Sequence, residues 1–113
     1  MTLTTTQQGT ATVIALQGNL MGGPDATMLN SELHGLVKQG TRHVVLDLAG
    51  VEFMNSSGLS LLIGGASIMK NAGGALKLAR ASAKIASLLT ITKLGGVFES
   101  FSSVGDAVAS FAK

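Results

Sequence analysis

Two kinds of apolar spacing divide the chain: short, nearly unbroken runs that suit strands, and recurrences at three and four residues that suit helices. Residues 3 to 8 are rich in Thr and Gln, 12 to 17 (TVIALQ) are mostly apolar, and Gly9 and Thr10 lie at the bend between them. The pattern predicts two strands joined as a hairpin. GNLMGGPDA then breaks the run with three glycines and the only proline, a loop followed by a helix start near Pro24 and Asp25. Leu29, Leu33, Leu36 and Val37 recur at helical spacing, and Gly40 is the candidate C-cap. HVVLDL, 43 to 48, is the run of a strand covered on both faces, hence the central strand of an at least partly parallel sheet.

After the link AGVEFMN, a second helix is predicted from Ser57 to Asn71, burying Leu59, Leu62, Ile63, Ala66 and Met69 and ending at Gly73 and Gly74. ALKLA, 75 to 79, reads as a strand; Ile85, Leu88 and Leu89 mark a third helix; Phe98 to Phe101 is a last short strand. Val104, Ala107, Val108 and Phe111 complete a closing amphipathic helix. Strands that alternate with helices after a hairpin call for parallel crossovers, so the expected class is α/β in layers, with no internal repeat.

At 113 residues the chain is read as one domain. Charged residues make up 12% against about 25% in an average soluble domain, and hydrophobic ones 46%, which argues for a well-buried fold rather than disorder. The net charge of +2 comes from a small excess of Lys and Arg, without dense basic clusters, so direct nucleic-acid binding gains little support. Lys70, Lys77, Arg80, Lys84 and Lys93 do fall in a stretch without Asp or Glu. They are read either as solubilising charges or as a mildly positive face for an acidic partner or a phosphate. Without Trp or Tyr there is no aromatic platform for stacking bases, and without Cys there is no disulfide, cysteine-zinc site or thiol chemistry. His34 and His43 stand apart with no carboxylate pattern, so neither a metal site nor a cofactor is expected. No basic leader and no apolar run of about 18 residues occur, so a cytosolic location without membrane insertion is the simplest expectation.

VEFMNSSGLS, 51 to 60, places two serines and a glycine at a strand-to-helix corner, where α/β-hydrolases carry a nucleophile. The G-x-S-x-G elbow is absent, and Asp47 and His43, four residues apart in one strand, are about 13 Å distant, too far to form a relay. Ser67 to Lys70 fits S-x-x-K, but the S-D-N and K-T-G elements of those enzymes are missing; GGPDA lacks the G-K-[ST] of a phosphate loop. The residues themselves fit a helix N-cap, worth about 1 kcal/mol, with Gly58 making the tight corner.

VVLDLAGVEFMNSSGLSLLIGGASIMKNAGGALKLA resembles the core of STAS domains, in particular the single-domain anti-sigma factor antagonists of bacteria. The features that carry it are Asp47-Leu48, Val51, Phe53-Met54, the corner Ser56-Ser57-Gly58-Leu59 and the turn Gly73-Gly74, and the likeness extends over nearly the whole chain. The resemblance implies a mixed sheet of four to five strands with four helices, residues 1–113 forming one such domain. It implies a partner switch and not an enzyme: Ser56 is phosphorylated by an anti-sigma factor that is itself a serine kinase, the unphosphorylated form sequesters that kinase, and a serine phosphatase resets the switch. Asn55, Ser57, Gly58 and Leu59 at the corner and Gly22, Gly23 and Asp25 in the loop before the first helix are then the expected partner-binding residues, with Ser57 the expected helix cap. Asn55 stands where the family usually has Asp, and the Leu20 to Pro24 loop is about one residue longer than usual and lacks its Asp. Two other readings stay open: a STAS module that is never phosphorylated and serves as a scaffold in a signalling or transport assembly, and a nucleotide- or lipid-binding domain using the Gly-rich loop and the basic stretch. The oligomeric state is left open.

Overall fold

A computed structural model describes residues 2–21, 23–91 and 99–111, with the side chains of 88–91 excepted. In chain order the elements are β1 (Thr2–Gln8), β2 (Ala11–Leu20), α1 (Pro24–Lys38), β3 (His43–Met54), α2 (Ser56–Asn71), β4 (Ala75–Ala79), α3 (Ala83–Ile91), β5 (Ser100–Phe101) and α4 (Val104–Ser110). One five-stranded sheet takes the order β1-β2-β3-β4-β5. β1 runs antiparallel to β2, and the remaining neighbours are parallel. The mixed sheet and four helices match the architecture expected above.

Local chemistry explains the joints. Gly9 has φ 58, which a two-residue hairpin turn between Gln8 and Ala11 requires. Pro24 opens α1, where its missing N–H leaves no bond unmade, and Gly40 at φ 94 follows the Gln39 cap at the other end. Gly74 lets β4 begin hard against β3's entry, because a Cβ there would lie 2.1 Å from the Arg42 carbonyl oxygen that accepts the Ala75 amide.

β3 buries both faces, as its sequence predicts. Val44, Leu46 and Leu48 join Ile14, Leu16, Leu76 and Leu78 under α1, α2 and Ile85 of α3, forming the main core with Leu29, Leu33, Leu36, Leu59, Leu62 and Met69. Val45 joins Ala11, Val13 and Ala79 beneath Ala107 of α4 on the opposite face. The strand is longer than the HVVLDL run, because AGVEFM continues pairing with β2 through two register shifts, between Ala15 and Gln17 and between Gly18 and Leu20. These shifts break the two-residue alternation, so that Val51 and Met54 are buried with two exposed residues between them.

α4 is fastened by an unusual group for a packed layer. Lys77 is 8% exposed, donates to Ser110 Oγ at 2.7 Å and lies 4.2 Å from the centre of the Phe111 ring, on which His43 also stacks with centroids 4.5 Å apart. Lys77 is therefore part of the packing and not of a positive surface, and Arg80 is engaged by Asp47, which breaks up the basic face read from the sequence. Lys93 of that stretch lies outside the described residues. Among them, no helix is long and apolar enough to cross a membrane.

Candidate functional site

The corner between β3 and α2 is built on the end of β2. Leu20 pairs with Met54 in the parallel ladder, and the Asn55 amide donates to the Leu20 carbonyl at 3.2 Å. The helix start then passes so close to β2 that a Cβ on Gly58 would lie 2.1 Å from the Leu20 oxygen. Gly58 is thus the residue that allows strand end and helix start to touch.

Asn55, not Ser57, caps the helix. Asn55 sits in extended backbone and its Oδ1 accepts the Gly58 amide at 2.8 Å. Ser57 falls one position inside the helix, where its hydroxyl is not the group facing the free amides. The sequence favoured serine because Ser and Asn are equally good caps and only the position of the first helical φ/ψ separates them. Asn55→Ala is accordingly expected to lower stability by about 1 kcal/mol and Ser57→Ala by a few tenths at most. Urea unfolding of the two variants distinguishes them, and equal losses would return the cap to Ser57.

Ser56 is the first residue of α2, and both serine side chains are exposed. Among the described residues neither hydroxyl has a hydrogen-bond partner, whereas the Ser56 carbonyl accepts from Ser60 Oγ at 3.1 Å. Leu59, expected at the partner surface, is 7% exposed and belongs to the core, and Gly58 is buried too. These two shape the corner from beneath. In the loop, Gly23 is exposed at φ 62 and Asp25 is half-buried in the first turn of α1; Gly22 lies outside the described residues.

Three exposed side chains that were not expected at the partner surface, one of them the Phe53 of the motif, lie near the corner. Phe53, 41% exposed, directly precedes Met54 of the corner, and Met21, 47% exposed, directly follows Leu20. Lys84, in the first turn of α3, places its Nζ 5.8 Å from the centre of the Phe53 ring. A large aromatic at the exposed end of a strand was the available signal for Phe53; Lys84 is more than 30 residues away in sequence, and only the parallel crossover brings it to the same edge.

Asp47 and Arg80 form an ion pair on the α4 side of the sheet. The carboxylate, on β3, takes the Arg80 Nε at 2.9 Å, the Arg80 Nη2 as well, and the Ala49 amide at 3.1 Å. Burial works to raise the Asp47 pKa, but the Arg80 hydrogen bonds, the Ala49 amide and the Arg80 charge together hold it below the usual carboxylate range. Arg80 itself adopts φ 57 and its amide donates to the Phe101 carbonyl at 2.9 Å, at the turn that follows β4.

Comparison with known proteins gives a consistent frame. A sequence model of the STAS domain matches residues 2–107. An anti-sigma factor antagonist from Mycobacterium paratuberculosis superposes with TM-score 0.83 at 20% identity, covering 99% of this chain and 94% of that one. The Bacillus cell fate determinant SpoIIAA, solved in its phosphorylated form, superposes with TM-score 0.74 at 18% identity over 97% and 99% of the two chains. A sulfate transporter family protein from Wolinella succinogenes does so with TM-score 0.78 at 15% identity over 89% and 84%. At such identities the superpositions speak for the fold, while the sequence model covers nearly the whole chain: the protein belongs to the STAS domain family.

Proposed function

We propose that this domain is an anti-sigma factor antagonist of the partner-switching kind, whose Ser56 is phosphorylated by a serine-kinase anti-sigma factor and restored by a serine phosphatase. The observation that carries the reading is the Ser56 hydroxyl itself: exposed, unbonded among the described residues, and placed on the first turn of α2 beside a cap that Asn55 already supplies. A phosphate added there removes no bond the fold uses. The helix start is favourable to it, since the unpaired amides and the macrodipole of α2 favour negative charge. The domain is on this reading a substrate and a binding partner, with no catalytic group of its own.

The exposed Phe53 and Met21 beside the serines supply the apolar contact area that a kinase needs to hold the corner. Asn55 in place of an acid leaves the first turn of α2 without a carboxylate, so the phosphate becomes the first negative charge on that turn. A charge of about −1.5 to −2 against a net +2 of the whole chain makes the phosphorylated and free forms electrostatically different ligands.

The test is tandem mass spectrometry of the tryptic peptide His43 to Lys70 from protein recovered from its own host in growth and in stress. Phosphate localised to Ser56 in part of the molecules is the expected result. Phosphate on Ser57 would move the switch by one residue, and none under any condition would leave a constitutive interaction module of the scaffold kind.

A further inference from the structure

β1 is an edge strand of the five-stranded sheet. It has β2 on one side only, and their ladder runs unbroken from Thr2↔Gln17 to Gln8↔Ala11, since the register shifts lie between β2 and β3, with the extra residues on β3. Sheets are usually protected at such an edge by charge, proline, a bulge or a covering segment. Thr2 to Gln8 carries no charge and no proline, and every side chain except Leu3 is exposed.

A second feature lies on the same flank. Glu32 Oε1 of α1 accepts the Thr5 hydroxyl at 3.0 Å, so this stripe of α1 overhangs β1. Met28 is one turn earlier on that stripe and is 43% exposed, a large apolar side chain with no part in the serine corner.

We propose that β1 pairs, antiparallel and about a two-fold axis, with β1 of a second copy of this chain, joining the two sheets edge to edge with Glu32 of each copy nearest the axis and the exposed Met28 one helical turn farther along α1. Charge selects the occupant. A strand bearing charges would find no counter-charge along Thr2 to Gln8, whereas a second copy needs none: each residue meets another from the same uncharged stretch, and β-branched Thr faces Thr. Two-fold pairing of one surface with itself closes after two copies, so the product is a dimer and not a fibre. The main-chain groups of the edge supply the affinity, as in other cases of strand addition. The arrangement leaves Ser56, Ser57 and Phe53 unused and stands whether or not Ser56 is phosphorylated.

Light scattering after gel filtration over a concentration series is expected to give masses rising toward twice the 11.4 kDa of the chain. Thr4→Lys combined with Thr6→Lys, which sets lysines against lysines across the axis, is expected to return the mass to that of one chain while the circular dichroism spectrum stays native. Glu32→Gln, which removes two like charges on one side of the joined sheet, is expected to tighten the dimer. Because the chain has no cysteine, single substitutions to Cys at Thr4, Thr5 and Thr6 bracket the axis near the middle of the strand, and mild oxidation is expected to cross-link the one nearest it, with Ser56→Cys remaining monomeric. A mass of one chain at every concentration overturns the proposal. So does a dimer indifferent to the lysines, a dimer weakened by Glu32→Gln, or cross-linking through Ser56→Cys in place of the strand.

Discussion

Gly58→Ala is expected to destabilise the domain by about 2–3 kcal/mol, lowering the thermal midpoint by roughly 10 °C. The added carbon has nowhere to go: it meets the Leu20 carbonyl oxygen at 2.1 Å, the carbonyl carbon at 2.7 Å and Leu20 Cβ at 2.9 Å, all closer than real Cβ contacts and two of them backbone. Relief requires α2 to lift from the end of β2, which strains the Asn55 amide's bond to Leu20 and the Gly58 amide's bond to Asn55. Against this stands the helix propensity gained by replacing glycine, at most about 1 kcal/mol. Gly64→Ala provides the comparison within the same helix, because a Cβ there meets nothing within 4 Å; it is expected to be neutral or stabilising by up to about 1 kcal/mol. Thermal unfolding of both variants reads the difference, and a Gly58→Ala midpoint equal to that of Gly64→Ala would mean that the corner is not held against β2 as described.

The same corner shows what a sequence conveys and where it stops. Elements with strong periodicity were legible: Leu29, Leu33 and Leu36 mark the buried stripe of α1, and HVVLDL is the doubly covered centre of the sheet. Their ends were harder to read. β3 runs on to Met54 because two register shifts let AGVEFM keep pairing with β2, and a pattern read at period two cannot anticipate residues that the shifts turn over. The helix cap was misplaced by two residues for the same kind of reason. Asn and Ser compete equally for the position, and the close approach of Gly58 to Leu20 decides it through a contact 38 residues apart. Leu59 was read two ways, as buried by helical spacing and as partner-binding by the resemblance, and the structure places it in the core while Ser56 faces solvent.

Cations were the least legible feature. A run without acids between Phe53 and Phe98 suggests a positive surface, but Lys77 alternates inward on β4 and is stabilised by Phe111 and Ser110, and Arg80 is drawn to a carboxylate on β3. Charge in sequence says nothing of which strand face a residue occupies unless the register is known. Lys84 of that set lies beside Phe53, where its Nζ is 5.8 Å from the ring centre.

On the proposed partner switch, Ser56→Asp is expected to weaken binding of the kinase partner by about thirtyfold or more while leaving the thermal midpoint nearly unchanged. The two effects separate because the charge meets two environments. In the free domain it sits in water at the start of α2, where interaction with the helix end is worth about 0.3–1 kcal/mol in its favour. In the proposed complex it would be desolvated against a partner that fits a neutral hydroxyl without a counter-ion, near the exposed Phe53 and Met21. An uncompensated charge at an interface costs about 2–5 kcal/mol, and 2 kcal/mol is a factor of about thirty in Kd. Ser56→Ala removes the acceptor without adding charge and is expected to bind as the unmodified chain does, which makes it the bait with which the kinase is first retrieved and the reference for titration. Phosphoserine, with up to twice the charge of Asp, is expected to weaken binding further than Ser56→Asp. Should Ser56→Asp bind within a factor of two of Ser56→Ala, local repulsion is not how the partner is released, and release would have to come from a change in the shape of the corner that the native circular dichroism and midpoint of the phosphorylated form would then have to show.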